Sequence, residues 1–160
     1  MATKSQERQR FMRFYKGETG KTEVNMHDLA RFAVSQGWKL PTPPNPLDML
    51  AQEFAQAARE ETRHDSVTKR PYRANHAITI TQGQEQLHLW IDIDEAKRGP
   101  MLKSLVQRRE QMVGDGLQLS FDSEHWNRIN PSEEPIDLPM DLGPDIEWRK
   151  NAPEEDEKAS

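Results

Sequence analysis

The clearest pattern along the chain is an alternation. Leu87, Leu89, Ile91 and Ile93 alternate with His88, Trp90, Asp92 and Asp94, the period-two signature of a strand with one buried face. His76–Thr81 alternates more weakly, with Ile78 and Ile80 facing inward. Gly83, within the polar connection Gln82–Glu85, predicts a β-hairpin over His76–Asp94. Two strands are marginal in water by themselves, so helices must cover the apolar face.

Helical spacing appears on both sides of the hairpin. Phe11, Phe14 and Tyr15 predict a short helix over residues 5–15, broken by Gly17 and Gly20. Lys21–Val24 is expected as one brief strand. Asn25 then caps a helix running from Met26 to Gln36, with Gly37 at its C-terminal cap. Trp38–Pro46 holds four prolines and must be an extended connection. Asn45-Pro46 opens the strongest helix, Leu47 to about Arg63, whose stripe is Leu47, Leu50, Ala51, Phe54, Ala57 and Ala58. His64–Asn75 is polar and is expected as a loop.

Beyond the hairpin, Pro100 starts a helix to Val113, and Gly114-Asp-Gly116 is expected to end it. Leu117, Leu119 and Phe121 alternate with Gln118 and Ser120, predicting a third strand, with a short turn or helical segment over Ser123–Asn127. From Asn130 onward Pro131, Pro135, Pro139 and Pro144 punctuate an acidic segment carrying Ile136, Leu138, Met140 and Leu142. This is expected to be an extended arm, with one turn around Trp148. The predicted organisation is a single α+β domain over residues 1–128, helices packed on a small antiparallel sheet. An arm over 129–153 and a disordered acidic tail over 154–160 complete it.

Composition narrows the function classes. Hydrophobic residues are 34% and charged residues 31%, consistent with a modest core. There is no cysteine, which excludes disulfides, thiolate metal sites and cysteine nucleophiles. The opening Met1–Arg8 has no apolar signal core, and no apolar run is long enough to span a membrane. A cytoplasmic protein without membrane partners is expected. The net charge of −5 is unevenly spread. Residues 1–75 hold 13 Lys/Arg against 9 Asp/Glu, and residues 129–160 hold 3 against 10. A basic front and an acidic back suit a nucleic-acid face joined to an acidic extension, or a merely solvated surface.

Three candidate sites follow. Arg59, Arg63, Lys69, Arg70, Tyr72, Arg73 and Asn75 form a basic cluster in which Arg and Lys suit phosphates, Tyr can stack and Asn can read a base edge. Glu60, Glu61 and Asp65 dilute its field. Asp92 and Asp94 share one strand face and are weak candidates for Mg²⁺ or Mn²⁺, if Asp115 and His125 converge on them. The apolar anchors of residues 131–148 suit a protein partner. Gly17–Thr22 ends like a phosphate-binding loop but lacks its first glycine, a preceding strand and a following helix, so it is expected to be a turn.

The element order over residues 5–94 has the layout of a winged helix, with Leu47–Arg63 as reader and His76–Asp94 as wing. Two departures are a long connection at Gly37–Pro46 and an acidic first turn at Asp48. The predicted function is a small non-catalytic nucleic-acid-binding regulator or accessory factor, with no cofactor. The alternatives are a protein-interaction module acting through the arm and, behind it, a Mg/Mn-dependent phosphoryl-transfer enzyme. Pro100–Val113 and Leu117–Phe121 are expected to pack on the hairpin or to mediate homodimerisation.

Overall fold

The computed structural model describes residues 1–153. The acidic tail expected over 154–160 lies outside the described residues. Helices and two small antiparallel ladders make an α+β protein. It divides into two compact units, with the boundary between Glu53 and Phe54.

The first unit is built on α1 (Lys4–Thr19) and α2 (Met26–Ser35). Thr3 caps α1: its hydroxyl accepts the Gln6 N–H, and the Gln6 side chain accepts the Thr3 N–H. The helix runs through Gly17 and stops at Gly20, whose φ of 68° ends it in the left-handed conformation. Lys21–Val24 is irregular rather than the strand expected. With one flank turned by Gly20 and no partner strand, the segment serves only to reach Asn25, whose side chain accepts from His27 and Asp28 N–H and starts α2. Gly37, at φ 95°, turns the chain so that Trp38 returns to the helix pair. Phe11, Phe14, Tyr15, Phe32 and Trp38 form one aromatic cluster, closest at 4.9 Å between the Phe11 and Trp38 rings. Tyr15, 4% exposed, is its buried centre.

The helix α3 (Pro46–Glu60) carries the boundary between the units. Asn45 accepts the Leu47 N–H, as its capping role requires. The helix ends at Glu60, before the expected Arg63, because Thr62 begins a strand. The expected loop at 64–75 contains a second ladder: β1 (Thr62–His64) pairs antiparallel with β2 (Pro71–Arg73). Its turn is held by Asp65, whose carboxylate accepts the N–H groups of Val67 and Thr68.

The hairpin is β3 (Asn75–Gln82) and β4 (Glu85–Asp92), joined at Gly83-Gln84. Opposing pairs His76–Ile91, Ile78–Leu89 and Ile80–Leu87 place these six side chains on one face. Asn75, Trp90 and Asp92 lie on the other.

One helix, α4 (Arg98–Ile129), runs unbroken for 32 residues, about 48 Å. It absorbs Gly114-Asp-Gly116, the expected strand Leu117–Phe121 and the segment Ser123–Asn127. Neither glycine has a positive φ, and Gln118 bonds Asp122 one turn on at 2.8 Å. Alternation at 117–121 was a fragment of a helical pattern, since Leu117, Ser120 and Glu124 continue the three–four spacing from Val113.

α4 lies along the outer edge of β3. Ser104, fully buried, donates to the Ala77 carbonyl at 3.0 Å. The Gln107 side-chain amide both accepts the Thr79 N–H and donates to the Thr79 carbonyl, at 3.4 and 3.3 Å. Those are the two bonds a neighbouring strand would make. The edge is thus covered by side chains and withheld from another strand. The arm then returns along α4: Asn127 exchanges two hydrogen bonds with the Ile136 backbone, and Met140 reaches Gly116. A final helix, α5 (Gly143–Asn151), follows and contains Trp148.

Candidate functional site

The basic cluster is spread over α3, β1, its turn, β2 and the start of β3, and those elements assign its members different tasks. Arg63, at the centre of β1, is held by carboxylates. Its Nη1 and Nη2 donate to the two oxygens of Asp92, both at 2.9 Å, a bidentate fork. Nη1 also reaches Asp94 at 2.7 Å and Nη2 reaches Glu61 at 3.3 Å. Tyr72, directly across β1–β2 from Arg63, donates its hydroxyl to Asp94 at 3.0 Å. Asn75 donates to the Glu61 carboxylate and to the Ala58 carbonyl.

The electrostatics follow from this cage. Hydrogen bonds from Arg63, reinforced by the Asp94 N–H, hold the Asp92 carboxyl below its ordinary range. Asp92 and Asp94 in turn raise the Arg63 guanidinium, keeping it charged. Tyr72 is raised, chiefly because its hydroxyl is bonded to the Asp94 carboxylate. Asp65 is lowered by the Thr68 and Val67 N–H groups of its turn.

Asp92 and Asp94 are therefore adjacent, as the strand pattern implied, but their shared ligand is a guanidinium. Among the described residues no three His, Asp or Glu side chains are grouped to hold a metal ion. Arg59 sits 5.3 Å from the Trp90 ring centre in a cation–π contact. Lys69 has φ 61° and donates to the Ser66 carbonyl, while Arg70 touches Asn151 at 3.5 Å. Arg73 is exposed. Lys69, Arg70 and Arg73 thus keep outward charge, whereas Arg63, Tyr72 and Asn75 are engaged within the fold.

The sequence pattern expects Leu102, Leu105, Val106, Met112 and Val113 to face inward, but they stand about half exposed and make a second surface. Opposite the face of α4 that meets β3, Leu102, Val106, Arg109, Val113, Gly116 and Ser120 follow three–four spacing. Leu105, Met112 and Leu117 flank that stripe. Leu102 and Val106 are each 47% exposed, Met112 52% and Leu117 55%. The arm covers only part of the stripe, leaving a groove of about 570 Å³ between α4 and Met140–Leu142. Met140 sits 3.1 Å from where a Gly116 Cβ would stand, so the glycine admits the arm. Ile136, Leu138, Met140 and Leu142 remain nearly half exposed. In this second unit only Ala74 and Ile78 are buried hydrophobic residues among those described. The missed signal was the continuation of helical spacing past Gly116, and the absence of any β-branched residue from Gly114 to Arg128.

No helix among the described residues is long and apolar enough to cross a membrane. Comparison with protein-family models, curated proteins and solved structures finds no match to this chain.

Proposed function

We propose that this protein is a non-catalytic interaction module that holds another polypeptide against α4 and the Pro-rich arm. One observation carries the reading: Leu102, Leu105, Val106, Met112, Val113 and Leu117 of α4, with Ile136, Leu138, Met140 and Leu142 of the arm, each stand about half in water. Fully burying such a side chain is worth roughly 1.5–3 kcal/mol, so a domain with so few buried hydrophobics gains much by covering them. Isolated exposed apolar residues are ordinary, but a continuous patch marks a contact surface. The prolines at 135 and 139 keep the arm extended and ready for a partner without a large loss of entropy.

The test is capture with immobilised full-length protein, alongside a Leu105→Asp/Val106→Asp variant. The reading expects a polypeptide, whether this chain or another, that the wild type retains and the variant loses. Identical retention by both would contradict it.

The basic turn supports a second reading, a nucleic-acid-binding regulator. Lys69, Arg70 and Arg73 point their charge outward from one small ladder. Three helices precede the hairpin, in keeping with a winged-helix layout, but the strand expected at Lys21–Val24 is absent and the β1–β2 ladder stands between α3 and β3. In that reading α3 is the reader and β3–β4 the wing. Arg63, Tyr72 and Asn75 already have intramolecular partners, which leaves a small electrostatic footprint. Arg70→Glu/Arg73→Glu should weaken binding to labelled duplex and lower its salt slope by about 2. Unaltered affinity would exclude this surface.

A further inference from the structure

The hairpin has two outer edges, and only one is closed. Ser104 and Gln107 of α4 bond the Ala77 carbonyl and both Thr79 main-chain groups, so residues 77 and 79 point away from β4. Antiparallel pairing alternates residues that bond the neighbouring strand with residues that point outward. His76, Ile78 and Ile80 therefore bond β4 at Ile91, Leu89 and Leu87. The Ile93 N–H, which donates to the Ala74 carbonyl at 2.9 Å, continues the same alternation. On β4 the residues left pointing outward are Gln86, His88 and Trp90. Among the described residues no strand pairs with that edge. Asp92, next in the row, has its carbonyl taken by the Glu95 N–H at 3.1 Å.

An open strand edge is ordinarily blunted by lysine, proline, a bulge or shortness. β4 runs eight residues, Glu85–Asp92, with no lysine, arginine or proline, and its register against β3 has no bulge. The apolar face is open at the same edge. Leu89 is 46% exposed, whereas Ile78, opposite it on the covered strand, is 8% exposed.

We infer that the open edge of β4 pairs antiparallel with β4 of a second copy, joining two hairpins into one four-stranded sheet. This edge is separate from the α4 stripe, and the inference stands independently of the interaction reading. The strand is its own complement. One register matches each of the three free residues with a free residue, with His88 of both copies on the two-fold axis and Gln86 opposite Trp90 on either side. Leu87 then lies against Leu89 across the junction, twice, which covers the exposed leucine. Residues 86–90 contain no carboxylate, lysine or arginine, so no such charges are brought face to face. A second copy supplies a strand already ordered in its hairpin, whereas a free extended segment loses conformational entropy on pairing. Two strands are marginal in water, and four sharing an apolar face are not.

The test uses the parity of the edge. His88 points its N–H away from β3, so His88→Pro removes an outward donor and leaves the β3–β4 ladder bonded. Light scattering after size separation should find the full-length wild type as a dimer. His88→Pro should self-associate about 10-fold more weakly. Register is read with cysteine, since the chain has none. Across the axis the two 88 positions stand about 5.5 Å apart at Cα, within disulfide reach, whereas the two 86 positions are roughly 13 Å apart. Oxidation should therefore join His88→Cys into a covalent dimer and leave Gln86→Cys as separate chains. That contrast decides the matter even if His88→Pro fails to fold. A monomeric wild type, a folded His88→Pro that dimerises as the wild type does, or equal crosslinking at both positions would overturn the pairing. A monomeric wild type that still captures another polypeptide through α4 would overturn it and leave the interaction reading standing.

Discussion

Arg63 is held by three carboxylates supplied from two places in the chain. Glu61 lies two residues away, and Asp92 and Asp94 come from the far end of the hairpin. Their arrangement fixes how the second unit responds to acid. The folded Asp92 carboxyl lies below its unfolded value near 3.9. Its contribution is therefore complete above about pH 4 and is lost as pH falls through the lower folded value. Urea titrations of wild type and Asp92→Asn should accordingly differ at neutral pH and converge in acid. Parallel pH profiles would contradict this cage. In the adjacent turn, Lys69 holds a left-handed backbone that glycine adopts freely. Lys69→Gly should stabilise the protein by about 1 kcal/mol, read as a higher urea midpoint. A lower midpoint would mean that the Lys69 bond to Ser66 outweighs the strain. The sequence identified these residues but not their partners. Charge and spacing mark Arg63 as cationic, yet its pairing depends on a hairpin that brings back carboxylates 29 and 31 positions later.

Elements with strong local patterns were legible. The hairpin combines strict alternation with Gly83, and α2 has a side-chain cap at Asn25 and a left-handed Gly37 behind it. The β1–β2 ladder was not, because Thr62, Arg63 and His64 carry no apolar alternation and the turn is specified by the Asp65 side chain. α4 was misread because two glycines close together resemble a terminator. Each costs a helix about 0.5–1 kcal/mol relative to alanine, a penalty that neighbouring contacts can offset. Gly116 has such a contact with Met140, whereas Gly114 has nothing within 4 Å of its missing Cβ. Gly114→Ala should therefore raise stability by about 0.5–1 kcal/mol in chemical denaturation. Destabilisation would indicate that the chain turns at Gly114 and that α4 is two elements.

The molecule presents much of its apolar chemistry on surfaces. No residue of α3 is buried, and the α4 stripe stays half in water even beneath its own arm. Composition pointed this way, since 34% hydrophobic residues support only a modest core and leave much of the chain at the surface or loosely packed. What matters is their placement, and placement depends on α4 being continuous. If the stripe is the working surface, its side chains are shielded whenever the protein is assembled. Two methionines report on it directly: Met112 on α4 and Met140 on the arm, with Met26 on α2 as a reference outside the proposed contact. Hydroxyl-radical oxidation of the wild-type protein, alone and with its captured polypeptide bound, is the most direct measurement. Met112 and Met140 should oxidise more slowly once the polypeptide is bound, while Met26 keeps a constant rate. Equal oxidation of all three in both states would contradict the account.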